Sequence, residues 1–305
     1  MNQQLSIFSR ADDSLGRAVE AVRGLDLEQA GREIETARHV DPYAANLEVW
    51  NVIIGLLSGL DSGPPLPDFL ASIWRALPEK TESGVVPMKF LDLIDREIAE
   101  IAFRHIGMSN GFLDEEKTLH WGFLSAARGD HDESRSLLMD ALTGGHAGRA
   151  DLWAGYASAL WSIGNRREST AALVRALMLD PAAVDLRRTR IQELRTLYEK
   201  LLLKRAPDEA KALLLFSGWQ EGLWEIRRPA RSPDSVESDI RNRVAETDVL
   251  GRSGRLRRFS LLFYLDRIRP PGEFDIEARE RMMELEPDLF RIYLTRSEES
   301  QRVLF

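Results

Sequence analysis

The side chains that could do chemistry in this chain are few, and their spacing matches no known combination. There is no cysteine and there are five histidines in 305 residues, so thiolate nucleophiles, disulfides and cysteine-ligated zinc are excluded. His120, His131 and His146 stand 11 and 15 residues apart, which does not place two imidazoles on one helix face for a metal. His131-Asp132-Glu133 reads instead as the solvated start of a helix. The carboxylates Asp92 with Asp95, and Glu97 with Glu100, have the three-residue spacing of an acid and base pair on a helix. Phe90, Leu91, Ile94, Ile98, Ile101 and Ala102 claim the apolar side of that helix, so the carboxylates are expected on its solvated side.

Two glycine-rich stretches could cradle phosphate. Gly144-Gly-His-Ala-Gly148 follows a helical stretch and lacks the lysine and hydroxyl of a phosphate loop, so it reads as a turn. Gly251-Arg-Ser-Gly-Arg-Leu-Arg-Arg258 offers backbone donors and arginines, a weak signal shared by many basic turns. No nucleophile with a base and an orienting group can be assembled from spacing. The expectation is a non-enzyme with no catalytic residue, no cofactor and no metal site.

The elements that carry these residues show a repeat. Trp121, Gly122, Gly129 and Ala141 in the segment Glu115 to Leu142 recur as Tyr156, Ala157, Gly164 and Ala176 in the segment Ala150 to Pro181, offset by 35 residues. A period of that length marks stacked helical hairpins, which bind other proteins far more often than they catalyse. Stepping backwards finds a copy from Ala11, with Ala30, Ile34, Ala37 and Pro42 at its end, and one from Ala45, with Leu47, Trp50, Ile53 and Ile54. The latter's turn is replaced by a loop over Asp61-Ser-Gly-Pro-Pro-Leu-Pro67. The copy from Lys80 reduces to one long amphipathic helix ended by Ser109-Asn-Gly111. Asp41-Pro42, Asp180-Pro181 and Glu286-Pro287 each stop a helix, because the residue before proline is pushed out of the helical region. Leu186 to Lys204 and Glu209 to Trp219 form a further expected hairpin. Alternating β-branched runs are missing, which makes the chain all-α.

Arg228-Pro-Ala-Arg-Ser-Pro-Asp234 breaks periodicity for a full loop. It divides the chain into a helical repeat domain, 1–225, and an arginine-rich helical region, 226–305. Val236 to Leu250, Arg257 to Ile268, Ile276 to Leu285 and Asp288 to Leu294 are expected as shorter helices that cap the array. Net charge is −8, yet Arg227 to Arg269 holds eleven arginines against six acidic residues. Such a split points to attraction between parts of one protein or between two copies, that is, self-association. A site for an acidic partner is the alternative. The overall acidity argues against general nucleic-acid binding. The longest apolar stretch, Val49 to Leu60, is too short to span a bilayer, and the start has no export signal, so a cytoplasmic protein without membrane contact is expected.

With Trp153, Tyr156-Ala157, Leu160, Ser169, Leu173, Ala176 and Pro181 in one copy, and Trp121-Gly122, Ser134, Leu138 and Ala141 in the other, the chain resembles the tetratricopeptide repeat family over about residues 11 to 219. The resemblance implies a right-handed α-solenoid with a C-terminal helical cap, whose first helices line a concave groove for a polypeptide segment. Carried over by register, the groove positions are Glu116, Leu119, Phe123 and Ala127 in one copy. They are Asp151, Ala154, Ser158 and Trp161 in the next, followed by Asp185, Arg188, Gln192 and Arg195. Phe123 and Trp161 would supply apolar contact area at little entropic cost, and the arginines a grip on carboxylate or phosphate. The family's lysine and asparagine clamp for a terminal carboxylate is missing. A scaffold or adaptor for a protein or peptide is the leading expectation. The alternatives are a regulator whose arginine-rich region holds a polyanion, and an accessory subunit that recruits substrate for a separate transferase.

Overall fold

The computed structural model describes residues 2–44, 47–60, 63–226, 233–247, 250–270 and 273–302, with side chains from residue 11 to residue 297 except 233–235. It is all-helical. Among the described residues there are fifteen α-helices, and the only β pairing is a single bridge between Phe112 and His120. Contacts divide the chain into two compact units, 1–143 and 144–305. The loop 228–234, where the sequence places its boundary, lies largely outside the described residues.

The first unit contains α1 (Asn2–Arg23), α2 (Leu27–Val40), α3 (Leu47–Leu57), α4 (Leu66–Glu82), α5 (Leu91–His105), α6 (Trp121–Arg128) and α7 (His131–Ala141). Its core runs from Ala18 and Ile34 through Trp50, Leu70 and Ile94 to Trp121 and Leu124. The second unit contains α8 (Ala150–Ser162), α9 (Arg166–Leu179), α10 (Gln192–Leu202), α11 (Pro207–Gln220), α12 (Pro233–Glu246), α13 (Arg252–Arg267), α14 (Ile276–Leu285) and α15 (Pro287–Arg302). Its centre is aromatic: Phe216 of α11 meets Phe259 and Phe263 of α13 edge-on, and Trp219 lies against Phe263 and Tyr293.

One local design recurs in three helix pairs, α1/α2, α6/α7 and α8/α9. The chain leaves the first helix through a left-handed residue, Leu25 (φ 62°), Gly129 (φ 93°) or Gly164 (φ 85°). The next amide reaches back to a helical carbonyl at 2.9 Å in each case: Asp26 to Ala21, Asp130 to Ser125 and Asn165 to Leu160. This closes the helix end by satisfying a carbonyl that would otherwise lack a donor. Those three polar residues then sit at the N-cap of the second helix. Buried residues follow at matching places: Ala30, Ser134 and Ser169, then Ile34, Leu138 and Leu173, then Ala37, Ala141 and Ala176. Close approach is literal at Gly122, where a Cβ would lie 2.5 Å from the Leu138 side chain. The stops before proline are present as well, with Asp41 and Asp180 in extended backbone and their amides bonded to Ala37 and Ala176.

Three expectations are corrected. The helix expected from Glu115 begins only at Trp121. Asp114 accepts from the amides of Thr118 and Leu119, and Lys117 takes a left-handed conformation (φ 56°), so the chain turns back on itself before α6. Glu116 and Leu119 therefore lie in a loop, and Leu119 is fully buried. The helix expected from Leu186 begins at Gln192. Asp185 and Thr189 accept from the amides of Arg187 and Ile191, local bonds that compete with a helix.

Third, Asp95 and Glu97 are buried, not solvated. Helix α5 packs against α1, α4 and α6, so part of its polar side is covered too, while Asp92 is exposed as expected. Glu97 is neutralised there by Arg23 of α1, and Glu100 by Arg128.

Candidate functional site

The eight positions singled out for partner contact fall into both units. Phe123 and Ala127 lie on α6, half-buried against the core of the first unit, and the Phe123 ring stands 6.4 Å from that of His120. His120 itself is wholly buried, and its Nδ1 caps α6 by accepting from the amide of Gly122. Phe123 is thus in part a packing residue.

The remaining six belong to the second unit. Asp151, Ser158 and Trp161 line one half-buried side of α8, while the opposite side, with Leu152, Tyr156, Ala159 and Leu160, enters the core. Each of the three has an intrachain partner. The Arg149 guanidinium grips Asp151, with Nε at 3.0 Å. Ser158 Oγ accepts from the amide of Arg190 at 2.9 Å, which ties the segment between α9 and α10 to α8. Arg166, at the first turn of α9, stacks its guanidinium 3.4 Å from the centre of the Trp161 ring. Trp161 therefore presents a ring whose electron-rich face holds a cation and whose remaining area is partly open.

Arg188 is half-buried beside Asp185 at 3.1 Å, and Gln192 and Arg195 open α10. Burial lowers the pKa of Arg187, and Arg188 beside it adds to that effect while Tyr198 opposes it. Burial also raises the Tyr198 phenol. The Arg190–Ser158 bond thus ties α8 to the segment that carries Arg188, while Gln192 and Arg195 lie further along, on α10.

The arginine-rich stretch is largely engaged within its own unit. Arg257 donates to the last carbonyls of α9, Leu177 at 2.7 Å and Leu179 at 3.1 Å. Its burial lowers its pKa to about 10, which leaves it charged at neutral pH. Arg258 donates to Thr247, Arg243 to Leu179, and Arg241 and Arg269 converge on Asp275. Arg252 faces Glu209, Arg255 faces Glu286, and Arg267 lies over Trp219. All eight arginines of that stretch that are described thus have an internal partner; 227, 228 and 231 lie outside the described residues. Carboxylates of the same unit hold Arg241, Arg243, Arg252, Arg255 and Arg269, in keeping with attraction between parts of one protein, while Arg257, Arg258 and Arg267 meet backbone carbonyls or a ring.

Among the described residues no group of three histidines or carboxylates could hold a metal ion, and no helix is long and apolar enough to cross a membrane. Comparison with protein-family models, with curated proteins and with solved structures returns no match for this chain.

Proposed function

We propose that this protein is a non-enzymatic scaffold or adaptor that resembles tetratricopeptide proteins and holds a polypeptide segment against α8 and the 185–195 segment. The observation that carries this reading is Trp161: a large aromatic left partly open on a helix side and stacked with Arg166, on the helix whose Ser158 is tied to Arg190. Rigid aromatic rings and arginines dominate binding energy at protein interfaces because they bury area with few torsions to freeze. The recurrent hairpin turn at Leu25, Gly129 and Gly164 supports the family resemblance. A cytoplasmic setting accords with this reading.

The test is capture from the native host by immobilised full-length protein, wild type beside Trp161→Ala. A bound protein that the wild type retains and the variant loses, with helix content equal by circular dichroism, supports the site. Loss of about 1 to 3 kcal/mol in affinity is expected for such an anchor. Equal capture by both proteins would remove α8 as the binding surface.

A further inference from the structure

Helix α12 is attached to its unit mainly by charge. In its described part only Ile240 and Val244 are fully buried apolar side chains, whereas α13 buries nine residues. Ile240 and Val244 are four apart and share one helix face. Around them lie four ion pairs and two hydrogen bonds from arginine to backbone carbonyls. On the α9 side, Asp239 faces Arg175 at 3.7 Å and Arg243 donates to the Leu179 carbonyl at 3.4 Å. Just past the end of α13, Arg269 donates to Glu237 at 2.6 Å, and Arg258 within α13 donates to the carbonyl of Thr247, the residue after α12, at 2.5 Å. Towards α14, Arg241 donates to Asp275 at 2.6 Å and faces Glu277 at 3.5 Å.

Most of these links are partly open to water, whereas the Asp275 carboxylate that Arg241 meets is 4% exposed. Asp239 is 38% exposed, Arg241 39% and Arg243 28%. Pairs of that kind contribute little individually and weaken as mobile ions screen them, while buried apolar contacts do not. Arg175, the α9 group that Asp239 faces, is itself partly open, with its side chain 33% exposed.

We propose that α12 is a detachable ionic strap over the seam between α9 and α13, closed at low ionic strength and released by salt while the rest of the unit stays folded. Release frees Arg175 from Asp239. A two-residue apolar anchor gives the strap a small opening free energy, and the screening of four ion pairs lowers it further.

Amide hydrogen exchange on the full-length protein, read by mass spectrometry, tests this. Between 50 mM and 1 M NaCl the screening length falls from more than about 10 Å to about 3 Å, and amides of residues 236–246 should exchange at least about tenfold faster. Amides of α13, 256–266, should keep their protection over the same range. The full-length double variant Glu237→Gln, Asp239→Asn should show at low salt the fast α12 exchange that the wild type shows only at high salt. The proposal is overturned if α12 is unprotected at low salt, if salt does not accelerate its exchange, if α12 and α13 open together, or if the double variant exchanges like the wild type.

Discussion

Arg23 of α1 and Glu97 of α5 form a two-pronged ion pair across 74 residues of chain, with Nε to Oε2 at 2.7 Å and Nη2 to Oε1 at 2.9 Å. Glu97 is 2% exposed and faces Ile53, Leu57, Ile94 and Ile98, so this guanidinium stands where water would otherwise solvate the carboxylate. The Arg23 pKa is raised chiefly by that bond.

Removing one partner should therefore be worse than removing both. Arg23→Met leaves a buried carboxylate uncompensated and should lower stability by about 3 kcal/mol, whereas Arg23→Met with Glu97→Leu should recover most of that loss. Urea denaturation of the two variants decides it. Equal stability of the single variant and wild type would mean that Glu97 is solvated.

Gly122→Ala tests the close helix approach in the α6/α7 pair. The added methyl would lie 2.5 Å from Leu138 Cγ, and overfilling of this kind costs about 1 to 3 kcal/mol. Combined with Leu138→Ala the two losses should add up to less than their sum, because each relieves the other. A thermal unfolding series of the singles and the double measures the coupling.

Asp275 should set part of the acid limit of the second unit. Burial pushes its pKa up, but the Ala278 amide and the guanidinium groups of Arg269 and Arg241 outweigh it, so the folded value lies below the ordinary one. Its contribution is complete above the unfolded value of about 3.9 and is lost as pH falls through the folded value. Asp275→Asn should be less stable than wild type at pH 6, with the gap closing at lower pH. Denaturation midpoints from about pH 6 down to about pH 2 show whether it closes.

Tyr293 sets a limit at the other end. Burial, then the charge of Asp266 and the hydrogen bond its hydroxyl donates there, raise its pKa to about 12. A phenol raised in the fold stabilises fully below the ordinary value of about 10 and ceases to as pH rises through the folded value. Tyr293→Phe should cost about 1 to 2 kcal/mol at neutral pH. Phenolate absorbance should lose its last-titrating step in this variant.

The helices could be read from the sequence because their signals are local. The apolar spacing around Ile94 and Ile98, the prolines after Asp41 and Asp180, and the glycines at 129 and 164 all act within a few residues. The loop before Trp121 could not be read, since Asp114 captures the Thr118 and Leu119 amides and no periodicity reports such a bond. Leu25 in a left-handed turn was equally hidden, because nothing in leucine announces that conformation. Burial of Glu97 required knowledge that α1 lies over α5, a tertiary fact. At the candidate site, the aromatic at 161 was visible in register, but its stacking on Arg166 rests on the geometry of the α8/α9 turn, and the tie from Arg190 to Ser158 on how the 185–195 segment departs from the repeat.

The aromatic joint between α11 and α13 has a further consequence. Phe216, Trp219, Phe259, Phe263 and Tyr293 interlock from both sides of the stretch 227–232. With Arg257 clasping the end of α9 as well, covalent continuity there is not what keeps the two parts together. Two polypeptides made separately, broken between Ile226 and Pro233, should reassemble on mixing, and that split offers a reporter whose signal depends on reunion.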